Sequence, residues 1–370
     1  MIPVNEPIFL GNEKKYLNEC IDSGWISSDG PFVGLFEQKL ANYFNRKYAV
    51  TVSNGTIAVD LAIESLGLQR GDEVIMPSFT IISCIGSILR NGLVPVFVDQ
   101  ERDTWNMNTS SIEKRINKRT KAIMIVHIYG LPVDVNPILK LSKDYNLKII
   151  EDAAEVIGQT YYEKKCGSFG DISTLSFYPN KHITTGEGGM ILTDDETLFE
   201  RVKSLKNLCF LENRRFYHTD LGYNARMSNL QAAVGLAQFE NIENHIKRKR
   251  EIGHMYIDGL KKIKNIRLPL VRTEFAENIF WVFGIVLEGK NQKKYAKIID
   301  QLKKKGIGTR PFFWPLHLQP VLKKYSIDCS NISLPICEDL GSYGFYIPSG
   351  LKLSNSQADF VIKALNEILG

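Results

Sequence analysis

From residue 48 to 195 the chain alternates short apolar runs with stretches of helical period. YAVTV (48–52), EVIMPS (73–78), PVFVD (95–99), AIMIVHIYG (122–130) and LKIIEDAA (147–154) read as strands, and STLSFY (173–178) and GMILTDD (189–195) as two more that close the sheet. Their apolar character is nearly continuous, which marks strands covered on both faces. Between them, IAVDLAIESLG sets Ile57, Ala58, Leu61, Ala62 and Leu66 on one helical face and stops at Gly67; Ser110–Ile116 and Asn136–Tyr145 are also predicted helical. Strands alternating with helices predict an α/β protein with a doubly wound, mostly parallel sheet.

After about Met227 the texture changes. One long helical pattern runs from Asn229 to about Ile263, followed by a smaller α+β segment with a predicted strand at NIFWVFGIVLE (278–288) and a helix at YAKIIDQLKKKG (295–306). The predicted division is a large domain over 1–245 and a small C-terminal domain over 246–370.

Composition narrows the class. With 370 residues, 44% hydrophobic and 24% charged, the chain reads as a globular protein long enough for two domains. Its net charge of +5 is spread along the chain; the densest basic run, Lys247 to Arg250, lies in a helical pattern and reads as a solvated face, not a nucleic-acid patch. The six cysteines lie far apart with no CxxC pair, so neither a zinc ribbon nor a redox dithiol is indicated, and no metal is expected. The start, MIPVNEPIFLGNEKK, lacks the basic and apolar regions of a signal peptide, and no run approaches the roughly 18 apolar residues of a membrane span. The expectation is a cytoplasmic protein without membrane or nucleic-acid partners.

Three stretches carry candidate chemistry. SNGT (53–56) joins a strand to a helix start, where free amides favour an anion and Gly55 permits close approach; a plain helix cap by Ser53 or Asn54 explains the same residues. IIEDAAE (149–155) ends a strand with Glu151 and Asp152, at the sheet edge where open α/β folds bind ligands, with Glu155 three residues on; a solvated strand end is the alternative. SFYPNKHITTGEGG (176–189) sets Lys181 between a buried-looking strand and a glycine-rich turn, with the Ser176 hydroxyl at the strand end. A lysine in a partly apolar crevice can act as an amine nucleophile, whereas His182 faces the opposite way in an extended chain. One ligand satisfies all three: pyridoxal 5′-phosphate has a phosphate, a ring nitrogen that takes a carboxylate, and an aldehyde that takes a lysine as a Schiff base.

The chain resembles the sugar aminotransferases of the DegT/DnrJ/EryC1/StrS family along nearly its whole length. The resemblance rests on VSNGTIAVDLA, GDEVIMPSFT, VHIYG, IIEDAAE, FGDISTLSFYPNKHITTGEGGM, YNARMSNLQAAVGLAQ and TRPFFWPLH. It implies the fold-type-I aspartate aminotransferase architecture, with a seven-stranded sheet and a smaller C-terminal domain. WISS, GEGGM and RPFFWP are most similar to the GDP-perosamine synthase branch, which aminates C4 of a nucleotide-linked 4-keto-6-deoxyhexose with L-glutamate as donor. Carried over by position, the resemblance makes Lys181 the cofactor lysine and Asp152 the partner of the pyridine nitrogen, with Glu155 near the ring. Gly55, Thr56 and Ser176 bind the phosphate, Asn224 reaches it from the partner subunit of a homodimer, and Phe79 packs near the ring. Arg310, Phe312 and His317, with Arg215, His218 and Trp25, are candidates for the sugar-nucleotide cleft. Pro179 and Ile57 depart from the branch's usual residues. A C3 aminotransferase, a 3-dehydratase and a non-catalytic cofactor-binding protein are the competing readings; the dehydratase would place histidine in the slot that Lys181 holds, and His182 lies one position too late.

Overall fold

The computed structural model describes residues 1–370. Seven strands form the main sheet: β1 (Tyr48–Val52), β2 (Glu73–Pro77), β3 (Val94–Val98), β4 (Thr120–Val126), β5 (Lys148–Asp152), β8 (Ile172–Ser176) and β9 (Gly189–Thr193); β6 (Thr160–Tyr161) and β7 (Lys164–Lys165) make a separate hairpin. The order is β1-β9-β8-β5-β4-β2-β3, with β9 antiparallel to both of its neighbours and the five strands from β8 to β3 parallel. Each predicted strand of this sheet is present. Long apolar runs flanked by turn residues admit few other structures when both faces are covered.

One face of the sheet is covered by α3 (Gly55–Ser65), α4 (Ile82–Arg90) and α6 (Glu196–Lys206), through Leu61, Ile85 and Val202. The other is covered by α2 (Pro31–Tyr43), α5 (Val135–Tyr145) and α7 (Asn229–Phe239), through Phe36, Ile138 and Ala232. The helix α1 (Glu13–Ser23) packs on α7. A second sheet, of order β10-β11-β13-β12, comprises β10 (Ile266–Arg267), β11 (Phe283–Leu287), β12 (Arg310–Pro311) and β13 (Gly344–Ile347). With α9 (Tyr295–Lys304), α10 (Pro335–Tyr343) and α11 (Asn355–Leu369) it builds the smaller C-terminal unit, and Ile2 joins that unit through a bridge to Ile307. No helix is long and apolar enough to cross a membrane.

Three expectations are corrected. The helix expected over Asn229–Ile263 is two, because it breaks before α8 (Ile242–Leu260). Asn241 turns its own side-chain amide to the Ala237 carbonyl at 3.3 Å, while its backbone N–H goes to Gln238. The side chain takes the acceptor that the helix would use. Ser110–Ile116 forms only two single 3-10 turns, Thr109–Ser111 and Glu113–Arg115, with the Asn108 side chain capping the first. The strand expected from 278 starts only at Phe283, because Phe280 sits at φ +46°, outside the extended region. The helix α8 spans the expected domain boundary: Ile242 and Ile246 belong to the core of the large sheet, Ile252, Tyr256 and Leu260 to that of the small one. Within its basic run, Lys247 is exposed but Lys249 is buried.

Candidate active site

A cavity of about 610 Å³ opens at the C-terminal ends of β1, β5 and β8. At one end, Asn54 is extended (φ −168°, ψ 170°) and its Oδ1 accepts the Ile57 N–H at 2.9 Å, capping α3. The first helical amides, of Gly55 and Thr56, have no acceptor within the helix. Both residues line the cavity together with Ser176. A Cβ on Gly55 would stand 2.7 Å from Ser176 Cβ and 2.9 Å from its Oγ. The SNGT turn is therefore a cap that leaves a cradle of N–H and hydroxyl groups at the positive end of the α3 dipole. Gly55→Ala is expected to lower stability by about 1–3 kcal/mol through overpacking and to weaken cofactor retention; melting curves with and without pyridoxal phosphate read both effects.

At the other end, the two carboxylates that close β5 point apart, as neighbours in a strand must. Glu151 is fully buried on the far face: its oxygens accept from the backbone N–H of Gly167 at 2.5 Å and of Phe169 at 2.8 Å, and from Ser173 Oγ at 2.8 Å, with His127 Nε2 at 3.0 Å. It ties the loop before β8 to the sheet. Asp152 instead lines the cavity, accepting from Ala154 N–H at 3.0 Å and from the Cys84 thiol at 3.3 Å. Burial raises its pKa, opposed in part by the Ala154 N–H and the Lys181 charge. Glu155, also on the wall, accepts the Tyr129 N–H at 2.9 Å, and burial likewise raises its pKa.

Lys181 sits in the loop between β8 and β9, which is drawn tight by Phe177 N–H to Gly188 O at 2.9 Å and Thr185 N–H to Phe177 O at 3.0 Å. Burial lowers its pKa, while the Glu155 and Asp152 charges hold it up. Its Nζ lies 3.7 Å from the centre of the Trp281 ring. A lysine amine, a buried carboxylate and an amide–hydroxyl cradle thus share one cavity, and this donor set fits the aldehyde, the ring nitrogen and the phosphate of pyridoxal 5′-phosphate.

Other expected residues lie elsewhere. Phe79 is off the cavity wall, in an aromatic core with Tyr129, Phe312 and Phe313 at 5.7–5.8 Å; Thr80, Ile81 and Ser83 reach the wall instead. Phe312 belongs to the same core, 4.9 Å from Tyr129 and 5.3 Å from Trp105, and Phe313, on the opposite side of the extended chain, lines the cavity. His317 is buried, bonded to Ser78 Oγ at 2.7 Å and Glu338 at 3.2 Å, where it pins its loop to the end of β2. Trp25 is half exposed in a separate groove beside α1. Arg215, His218, Asn224 and Arg310 are exposed, and none of them lines the cavity. His182 is fully buried behind Lys181 and also off the wall. Trp281 and Tyr346 were missed: each stands on the wall, in a segment that the sequence marks only as apolar and aromatic.

The sheet order and the lysine–carboxylate–cradle set are those of a pyridoxal-phosphate-dependent enzyme of fold type I. Similarity to known proteins agrees. The model of the DegT/DnrJ/EryC1/StrS aminotransferase family matches residues 9–366, and the chain belongs to that family of sugar aminotransferases. It is 42% identical to the GDP-perosamine synthase of Escherichia coli O157:H7, over 99% of this chain and 98% of the relative. It is 35% identical to the dTDP-3-amino-3,6-dideoxy-alpha-D-galactopyranose transaminase of Aneurinibacillus thermoaerophilus, over 95% and 93%. The crystal structure of the aminotransferase TlmJ from Streptoalloteichus hindustanus superposes with a TM-score of 0.93 at 27% identity, over 100% and 99% of the two chains.

Proposed function

We propose that this protein transfers the amino group of L-glutamate to C4 of a nucleotide-linked 4-keto-6-deoxyhexose, giving a 4-amino-4,6-dideoxy sugar nucleotide of the perosamine or viosamine type. The observation that carries the chemistry is that Lys181 lines one cavity together with Asp152 and Glu155. The C4 position is supported by the similarity to the GDP-perosamine synthase. Bound in the cavity, pyridoxal phosphate supplies the electron sink that stabilises the carbanion at the substrate carbon.

Gly55, Thr56 and Ser176 would hold its phosphate, Asp152 would hold its ring nitrogen in the protonated form, and Glu155 would stand near the ring. The Lys181 amine would anchor the aldehyde and, once free, would take the proton from the glutamate α-carbon. In the second half-reaction the same amine would deliver a proton to sugar C4. One side chain thus serves as nucleophile and as general acid/base.

Asn224 is exposed and off its own chain's cavity, which supports a homodimer in which Asn224 of the partner subunit completes the phosphate site. Phe313 and Tyr346 on the wall, with Arg310 exposed beyond them on β12, are the surface for the sugar nucleotide; a guanidinium fork suits a pyrophosphate. Amination at C3 is the second reading, supported by the similarity to the 3-amino transaminase.

The test is incubation with L-glutamate and a panel of GDP-, UDP- and dTDP-linked 4-keto-6-deoxyhexoses and their 3-keto isomers. Mass spectrometry detects the amine and NMR locates it. An amine at C4 with equimolar 2-oxoglutarate is expected. An amine at C3, or a deoxygenated product without amination, would overturn the C4 reading.

A further inference from the structure

Trp281 reaches the cavity through a backbone that is held from several sides. Phe280, just before it, sits at φ +46°, a conformation costly for a bulky L-residue. Its N–H is taken by Asn278 Oδ1 at 2.7 Å, and Asn278 Nδ2 donates to Leu270 O at 2.9 Å. Ile279 N–H donates to Gly130 O at 3.2 Å. Gly130, at φ +102°, lets the backbones meet: a Cβ there would stand 2.6 Å from Trp281 N and 2.7 Å from Phe280 N.

Two further bonds fix Trp281 itself. Its indole Nε1 donates to Asn180 O at 2.7 Å, within the loop that carries Lys181. Its carbonyl accepts from the ammonium of Lys249 at 2.7 Å, and the same Nζ donates to Ser349 O at 2.6 Å. Lys249 is 2% exposed, with carbonyls and no carboxylate bonded to it, and burial lowers its pKa to about 7. An amine buried without a counter-ion is costly unless its hydrogen bonds are met, and here the two carbonyls meet them. The strain at Phe280, the Lys249 bond and the indole N–H all converge on one residue, whose ring centre lies 3.7 Å from Lys181 Nζ.

We propose that Trp281 is the positioning residue of the reactive lysine: its indole face carries the Lys181 amine at the wall of the cavity, and Lys249 on α8 holds Trp281 there. This rests on the reading of Lys181 as the cofactor lysine. The titratable groups that act on Lys181 are Asp152 from β5, Glu155 from the loop after it and the Cys84 thiol from α4; Lys249 bonds to the Trp281 carbonyl and not to Lys181. The aromatic face adds attraction for the ammonium form to that set.

Full-length protein freed of cofactor tests this, with Lys181 acylation by a dilute amine reagent followed across pH by peptide mass spectrometry. Trp281→Leu should lower the midpoint of Lys181 reactivity by about one pH unit. Trp281→Phe, which keeps an aromatic face but loses the pyrrole ring with its N–H, should lower the midpoint less than Trp281→Leu. Lys249→Met should move the midpoint in the same direction as Trp281→Leu. In the loaded enzyme, Trp281→Leu should lower kcat about tenfold or more and leave KM within about threefold, since an interaction with the lysine acts on chemistry rather than on substrate binding. If the leucine variant does not fold, Trp281→Met serves in its place. An unchanged midpoint in the folded variant, or a raised KM with kcat intact, overturns the proposal. Failure of borohydride to fix the cofactor on Lys181 in the parent protein would instead overturn the reading beneath it.

Discussion

A Lys181→Ala protein is expected to lose turnover by at least about 10³-fold while still retaining pyridoxal phosphate without a covalent bond. The reason is that one amine does two kinds of work. On the proposed reading it anchors the aldehyde and carries the proton at both substrate carbons; general acid–base catalysis alone is worth about 10²–10⁴ in rate. Neither Glu155 nor His182 is placed to substitute. Glu155 is tied to the Tyr129 N–H, and His182 is buried behind the loop and off the wall. The cradle of Gly55, Thr56 and Ser176 and the carboxylate of Asp152 are untouched by the change, so cofactor stays bound. Two measurements check this: borohydride should fix cofactor on Lys181 in the parent and nowhere in the variant, and product should be scored by mass spectrometry. Turnover of glutamate and keto sugar at the parent rate would sink the mechanism.

Asp152→Asn is the second large effect. The carboxylate is buried, and on the proposed reading it would pair with the protonated ring nitrogen of the bound cofactor. Removing one partner of a buried charge pair costs about 3–5 kcal/mol, which corresponds to about 10²–10⁴-fold in rate if the loss falls on the transition state. The amide keeps the shape, and its single oxygen can still accept from the Ala154 N–H while its NH2 takes the position that accepts from the Cys84 thiol, so the fold and the phosphate site should survive at the loss of that one weak bond. The expected result is a protein that melts within a few degrees of the parent, binds cofactor, and is slow in both half-reactions. Single-turnover kinetics with glutamate alone separate the two halves. A variant slow only with the sugar would show that Asp152 serves substrate binding rather than the electron sink.

The architecture of the large sheet was legible because its signals are local. Apolar runs of strand length, and the turns after them, need no knowledge of distant contacts. The SNGT cradle, Asp152 and Lys181 were legible for a related reason: each stands at a strand end, where the topology of an α/β sheet collects ligand-binding groups. Register on the walls was not. Phe79 and Phe312 attract attention as aromatic residues, yet the core claims both because they are large and apolar, and the cavity wall falls to Ile81 and Phe313. His317 looked available for a substrate and is used to lock a loop. Trp281 was hidden inside an apparent strand, because the positive φ at Phe280 that turns it toward Lys181 depends on contacts with Gly130 and Asn278, distant or invisible in the local pattern. Lys249 was assigned to a solvated face by its charged neighbours, although its spacing from Ile246, Ile252 and Tyr256 puts it on the apolar stripe of α8.

That stripe has a mechanical meaning. The helix α8 runs without a break for 19 residues, about 28 Å, and its two halves are embedded in different cores. It acts as an axle through both units. Swinging the small sheet away from the large one would mean bending this rod or tearing one half of it from its packing, and Lys249 is fastened midway along it to both Trp281 and Ser349. Access for a bulky nucleotide sugar therefore has to come from the segments that rim the cavity rather than from a clamshell motion of the domains.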